Sequence, residues 1–293
     1  MPISSTRCTR AARLLAALTL VVALASCSAI KLAYNNLAEV AYWWLDGYVD
    51  FSAAQAPKTR TELAALLAWH RDAELPKLVA VLQKAETLAP NDVTATQACE
   101  LVADIRVRLM AVAERAEAPA AALAVTLSEA QLQTLERKYA KNNASYTREW
   151  IDLTPAQQQD KRYDKLLEQN EDFYGRLDNG QRELLRGLVA QSAFDARRVD
   201  VERRHRQQET LALLRSLRVQ RTAAAEAQPA IRAHVQRIAE PPPGAGRRYQ
   251  QAMQEEGCRN VAALHNATRP EQRQKAVQRL RAYEGDLRDL AEN

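Results

Sequence analysis

Apolar positions recur every three to four residues along almost the whole chain, and no stretch longer than a few residues alternates as a half-buried strand would. The pattern predicts an all-α protein, an elongated multi-helix bundle. Its first helix places Ile30, Tyr34, Leu37, Ala41, Trp44 and Tyr48 on one stripe. A second helical run over 61–88 is expected to bend at Glu74-Leu75-Pro76, since proline removes a helix donor and crowds the preceding turn. Asn91 and Thr94 offer caps for a third helix expected to end near Ala116, with the Ala-rich 117–125 and its Pro119 read as a connection. Helices then follow one another with short breaks to Arg221. The clearest punctuation is Pro241-Pro242-Pro243-Gly244-Ala245-Gly246, and the two helices beyond it turn near Asn266 to Pro270 as a C-terminal helical hairpin. The pattern divides the chain into a leader over 1–26, a helical body over 27–240, and a Pro/Gly linker with the hairpin over 241–293.

A weak repeat runs through the body. Leu127-Ser128-Glu129-Ala130-Gln131, Leu153-Thr154-Pro155-Ala156-Gln157 and Leu177-Asp178-Asn179-Gly180-Gln181 share a leucine, a capping residue and a glutamine three positions on. Each reads as a capping box, in which the short side chain takes a free N–H of the first turn and the glutamine reaches back. Thr268 with Glu271 is expected to start the last helix in the same way.

The N-terminus changes the picture most. Arg7, Arg10 and Arg13 precede Leu14 to Ala25, an apolar run too short for a stable span, which reads as the h-region of a cleaved signal peptide. Leu24-Ala25-Ser26-Cys27 reads as a lipobox, with Cys27 the lipidated first residue of the mature chain and the bilayer its first partner. In the bacterial lipoproteins that this pattern resembles, Asp after the lipidated cysteine favours the inner membrane. Ser28 therefore implies the outer membrane, periplasmic face. The formal charge of +5 falls to +2 without the leader's three arginines, so the pI of 9.1 is no argument for nucleic acid. Cys99 and Cys258 remain as the one possible disulfide pair, or as two buried free thiols.

Candidate chemistry is sparse. His70 and Glu74 stand at i and i+4, but no third ligand is suggested nearby, so His70 reads as a packing residue and no metal or cofactor is expected. No nucleophile elbow or glycine-rich phosphate loop is present, and no enzyme is expected. Two surfaces are candidates for interaction. One is the aromatic first helix, with Trp43 and Trp44: its rings are expected to fill a core, the alternative being a place at the lipid headgroups. The other is the arginine-rich 195–221, with Arg203, Arg204 and Arg206, which reads as a solvated helix laced by pairs such as Glu202 with Arg206, or else as a basic face for an acidic partner.

The segment Tyr34-Asn35-Asn36 through Ala41-Tyr42-Trp43-Trp44-Leu45-Asp46-Gly47-Tyr48, with Trp69-His70-Arg71 and Glu74-Leu75-Pro76, resembles an uncharacterised family of proteobacterial outer-membrane lipoproteins. That likeness implies the same address and a helical body, and no activity. The Leu-Thr-x-x-Gln form at Leu153 to Gln157 is similar to the motif of small periplasmic helical chaperones and stress adaptors of the Spy and CpxP kind, which cradle unfolded clients. The expected function is protein binding at the envelope, with a chaperone-like or stress role. The alternative is a structural or assembly accessory tethering an outer-membrane or cell-wall partner.

Overall fold

The structure, a computed structural model, describes residues 30–292. Among them there is no strand, and a helical turn over 30–35 leads into eleven α-helices. They are α1 (Leu37–Val49), α2 (Gln55–Trp69), α3 (Leu75–Leu88), α4 (Ala95–Ala124), α5 (Glu129–Tyr146), α6 (Pro155–Tyr174), α7 (Asn179–Ala190), α8 (Ala196–Val219), α9 (Ala224–Ala239), α10 (Ala245–Asn266) and α11 (Pro270–Glu292). The signal peptide and lipobox, Leu24, Ala25, Ser26 and Cys27 included, lie outside the described residues.

Helix α4 is the spine, about 45 Å long at 1.5 Å per residue. It does not stop at Ala116. The segment expected to be a connection is helical through Ala124 because its small residues are wanted in the core: Ala121 and Ala124 are buried, and buried Glu117 pairs with Arg232 of α9 at 2.7 Å. Pro119 deprives Arg115 of one backbone donor, and the surrounding alanines and the packing offset that loss.

Helices α9 and α10 pave the spine in succession, both antiparallel to it. Arg106 donates to the Ala239 carbonyl at 2.6 Å, and further down Cys258 is disulfide-bonded to Cys99, their Cα atoms 5.3 Å apart. Helix α11 runs antiparallel to α3, tied by Gln83 with Glu284, Arg281 with Glu86 and Arg273 with Asp92. The expected hairpin is thus an open one: a short turn at 267–269 joins α10 to α11, but α10 lies on α4 whereas α11 lies on α3 and α6.

The expected bend before Pro76 is a π turn over His70–Glu74. Proline cannot donate to Asp72, and the chain accommodates this by letting the Leu75 N–H reach five residues back to His70. A second π turn, Thr147–Ile151, precedes Pro155, with the Asp152 N–H bonded to the Thr147 carbonyl at 2.9 Å.

The apolar interior falls into two cores at opposite ends of α4. The first gathers Val49, Ala121, Leu127, Leu132, Leu135, Leu211 and Leu214 where α1, α4, α5 and α8 meet. The second gathers Tyr163, Tyr174, Leu177, Leu185, Leu264 and Ala276 from α6, α7, α10 and α11. It is pinned to the start of the spine by His265, whose Nε2–H donates to the Asn91 carbonyl at 2.8 Å, leaving Nδ1 to accept from the Tyr174 hydroxyl at 2.9 Å.

Candidate functional site

The capping boxes at Ser128–Gln131, Thr154–Gln157 and Asp178–Gln181 are all formed, each with the cap side chain on the glutamine N–H and the glutamine oxygen on the cap N–H. A further complete box stands at Thr94–Gln97. What separates them is the free end of the glutamine. Gln131 is buried and donates both to the Asp50 carbonyl at 3.0 Å and to Gln55 at 2.6 Å. Gln55 belongs to a box of its own with Ser52, and donates to the Thr126 carbonyl at 3.1 Å.

The second core repeats this in the same register. Gln181 donates to the Ala267 carbonyl at 2.9 Å and to Gln272 at 2.7 Å, while Gln272 donates to the Arg176 carbonyl at 3.1 Å. In all four cases the glutamine reaches the carbonyl two residues before the other helix's cap. Two helix starts are thereby locked face to face at each end of the spine, near Phe51 and Leu127 in one and Leu177 and Thr268 in the other. Helix α11 starts one residue later than expected from Thr268 and Glu271. Gln272 takes the Arg269 N–H at 3.0 Å, and the Thr268 hydroxyl donates to His265 instead. Arginine cannot accept the N–H that a capping side chain would take, and Arg269 pairs with Asp178 across the joint at 3.0 Å. Gln157, by contrast, is exposed and has only its own box.

Sequence reasoning missed Ser52–Gln55 and Arg269–Gln272. The first was legible as Phe-Ser-x-x-Gln, with phenylalanine in the leucine's place. The second carried no signal, because arginine is not a capping residue.

The aromatic first helix is split rather than buried. Tyr42 and Val49 are buried against α2 and α5, and Tyr48 packs on Tyr139, its hydroxyl accepting from Asn142 at 2.9 Å. Trp43 and Trp44 are 62% and 61% exposed, which overturns the expectation that the rings together fill a core. The buried side is centred on Ala38, Tyr42, Leu45 and Val49, so the predicted stripe, with Leu37 and Trp44, lies along its edge.

Arg203, Arg204 and Arg206 of α8 are engaged within the protein. Arg203 and Arg204 both bind Asp200, Arg203 stacks 4.2 Å from the Tyr146 ring, and Arg206 pairs with Glu202 at 3.0 Å. Asp200 is correspondingly held below the usual carboxylate range by its two guanidinium partners, against the opposing pull of desolvation. Further along, Arg215 and Arg218 reach Glu136 and Glu129 of α5. The helix is laced to itself and to its neighbour.

His70 does not join Glu74 in a metal site. Its Nδ1 shares a hydrogen bond with the Tyr34 hydroxyl at 2.8 Å, while Glu74, almost fully buried, binds Lys77 at 2.7 Å and Arg108 at 3.2 Å. Burial lowers the pKa of His70, His234 and His265, and pushes Tyr174 up to about 12. Among the described residues no group of three His, Cys, Asp or Glu side chains could hold a metal ion.

One surface was not anticipated. Val102, Ile105 and Leu109, at i, i+3 and i+7 on α4, are 43%, 45% and 63% exposed. Ile105 also lines an apolar trough of about 330 Å³ with Ile30, Leu78, Leu82, Tyr283 and Leu287. An apolar row of this kind on a helix is a surface for apolar contact.

No curated protein and no solved structure matches the chain. Residues 47–226 match a family described as a family of unknown function, DUF6279, a span that takes in Gln55, Gln131 and Gln181 and stops short of α10 and α11. With more than half of its length matched, the chain belongs to that family.

Proposed function

We propose that the protein is a lipid-anchored outer-membrane lipoprotein, facing the periplasm, that acts by binding protein in a chaperone-like or envelope-stress role. The address rests on the leader and on Leu24-Ala25-Ser26-Cys27. The observation that carries the binding role is the exposed row Val102, Ile105 and Leu109 beside the apolar trough. Such a row suits short apolar segments of unfolded chains, which need burial and no defined partner shape. The disulfide and the packing of α9 and α10 on α4 support this reading, since they hold the helix in place while its row faces water.

The test is suppression of aggregation of a denatured client by the purified mature protein at stoichiometric ratio. Suppression that is lost in Ile105→Glu/Leu109→Glu, with helix content unchanged, supports the reading. No suppression by the wild-type protein removes the chaperone form, and a single dominant partner crosslinked in cells favours the tethering accessory instead.

A further inference from the structure

The outer face of α1 has no packing partner among the described residues, and it is mostly apolar. Leu37, Val40, Trp43, Trp44 and Gly47 share it, continued by Leu32 and Ala33 of the preceding helical turn, with Leu32 67% and Val40 58% exposed beside the two indoles. Its polar side chains are Asn36, turned onto the Leu32 carbonyl at 2.7 Å, and Glu39 at its edge, which is paired with Arg60. The opposite face rests on α2 and α5, so the helix is held to the body with its apolar side outward.

Cations flank the face on both sides. From α2, the Arg60 guanidinium lies 3.5 Å from the centre of the Tyr42 ring and 5.1 Å from that of Trp43, bound also to Glu39. Just beyond α2, Arg71 stands 5.5 Å from the Tyr34 ring. From α5, the Lys138 ammonium lies 5.1 Å from the Tyr48 ring. An apolar strip with indoles on it and cations along its rims is the arrangement that fits the boundary between acyl chains and phosphate headgroups.

We propose that the outer face of α1 lies in the bilayer interface as a second membrane contact, which fixes the orientation of the body at the surface. The inference rests on the lipidated Cys27 of the proposed function, since Cys27 precedes Ile30 by three residues, a reach of at most roughly 11 Å. A tether that short keeps the helical turn at Ile30, and α1 which follows it, close to the membrane. A single flexible tether would leave the body free to tumble, whereas two contacts present α4 at a set angle.

The experiment places the mature protein, carrying Trp69→Phe and Trp150→Phe so that only Trp43 and Trp44 report, in phosphatidylethanolamine/phosphatidylglycerol vesicles with brominated acyl chains, and weighs its N-terminus by mass spectrometry. Quenching of tryptophan emission by at least about two-fold, with acrylamide access reduced, is expected for rings at the level of the upper acyl chains. Full acrylamide access without bromine quenching in a chain that carries its lipid overturns the inference and leaves the anchor standing. Bromine quenching in a chain with unmodified Cys27 supports the membrane face and removes the anchor. A photo-crosslinker at position 44 in the otherwise unaltered chain is independent of the tryptophan substitutions: a phospholipid adduct supports the inference, and one dominant protein adduct overturns it.

Discussion

The boxes at Asp178–Gln181 and Thr154–Gln157 follow one pattern and differ in what lies beyond the glutamine. Gln181 is 3% exposed and locked to Gln272, whereas Gln157 closes its box at the surface and goes no further. The first joins two segments 91 residues apart and the second starts a helix. Capping is therefore a local signal, and its tertiary value depends on whether burial brings a second box to meet it. The two glutamine joints differ in turn: Gln55 with Gln131 closes the first core without a covalent tie, while the second core lies at the end of the spine that the disulfide binds to α10.

That difference can be broken from its strongest element downward. Loss of the Cys99–Cys258 bond, by reduction or by Cys99→Ser/Cys258→Ser, is expected to lower unfolding free energy by about 4 kcal/mol, because a 159-residue closure is released to the unfolded chain. Amide exchange should then rise first in α10 and α11 rather than around the first core. Urea unfolding that is unchanged by reductant would refute this.

Gln131→Ala and Gln181→Ala are each expected to cost about 2 kcal/mol, since each opens its own capping box, takes the side-chain donor from a part-buried carbonyl and leaves the partner glutamine's oxygen with only its own cap N–H. A double-mutant cycle of Gln55 with Gln131 should show coupling above about 1 kcal/mol, as between side chains in direct contact. Additivity would mean that the two boxes act separately. Thr154→Ala is expected to cost about 1 kcal/mol, the ordinary value of an exposed cap. A loss as large as that of Gln181→Ala would erase the distinction between the two kinds of box.

The smallest effect is that of pH. Burial holds His265 and His234, and partial burial His70, below the ordinary histidine pKa, so the unfolded chain binds protons before the folded one does. Stability is expected to be flat above the unfolded pKa and to fall as pH drops below it toward the folded values, with the His265 ring titrating below an unfolded histidine by NMR. Protonation of His265 at or above pH 6.5 would contradict the hydrogen-bond roles assigned to its two nitrogens.

The helical fold and three of its capping boxes were legible in the sequence because both are matters of local chemistry. Pairing of the boxes was not, since Gln272 follows an arginine and Gln55 lies inside what reads as a loop before residue 61. Pro119 was misread for the opposite reason: a proline is a strong local signal, and here the burial of Ala121 and Ala124 outweighs it. The first helix misled because both its sides are apolar. With Leu32, Val40 and Trp43 on one face and Ala38, Tyr42, Leu45 and Val49 on the other, periodicity gives no clear direction, and only the packing on α2 and α5 separates the face that is buried from the one that is not.

The most direct test of the proposed envelope address is fractionation of cells expressing the wild-type gene, followed by the mass of the mature N-terminus. An acylated Cys27 recovered in the outer membrane is the expected result. An unmodified chain in a soluble fraction, or a precursor that keeps Leu14 to Ala25, would contradict it.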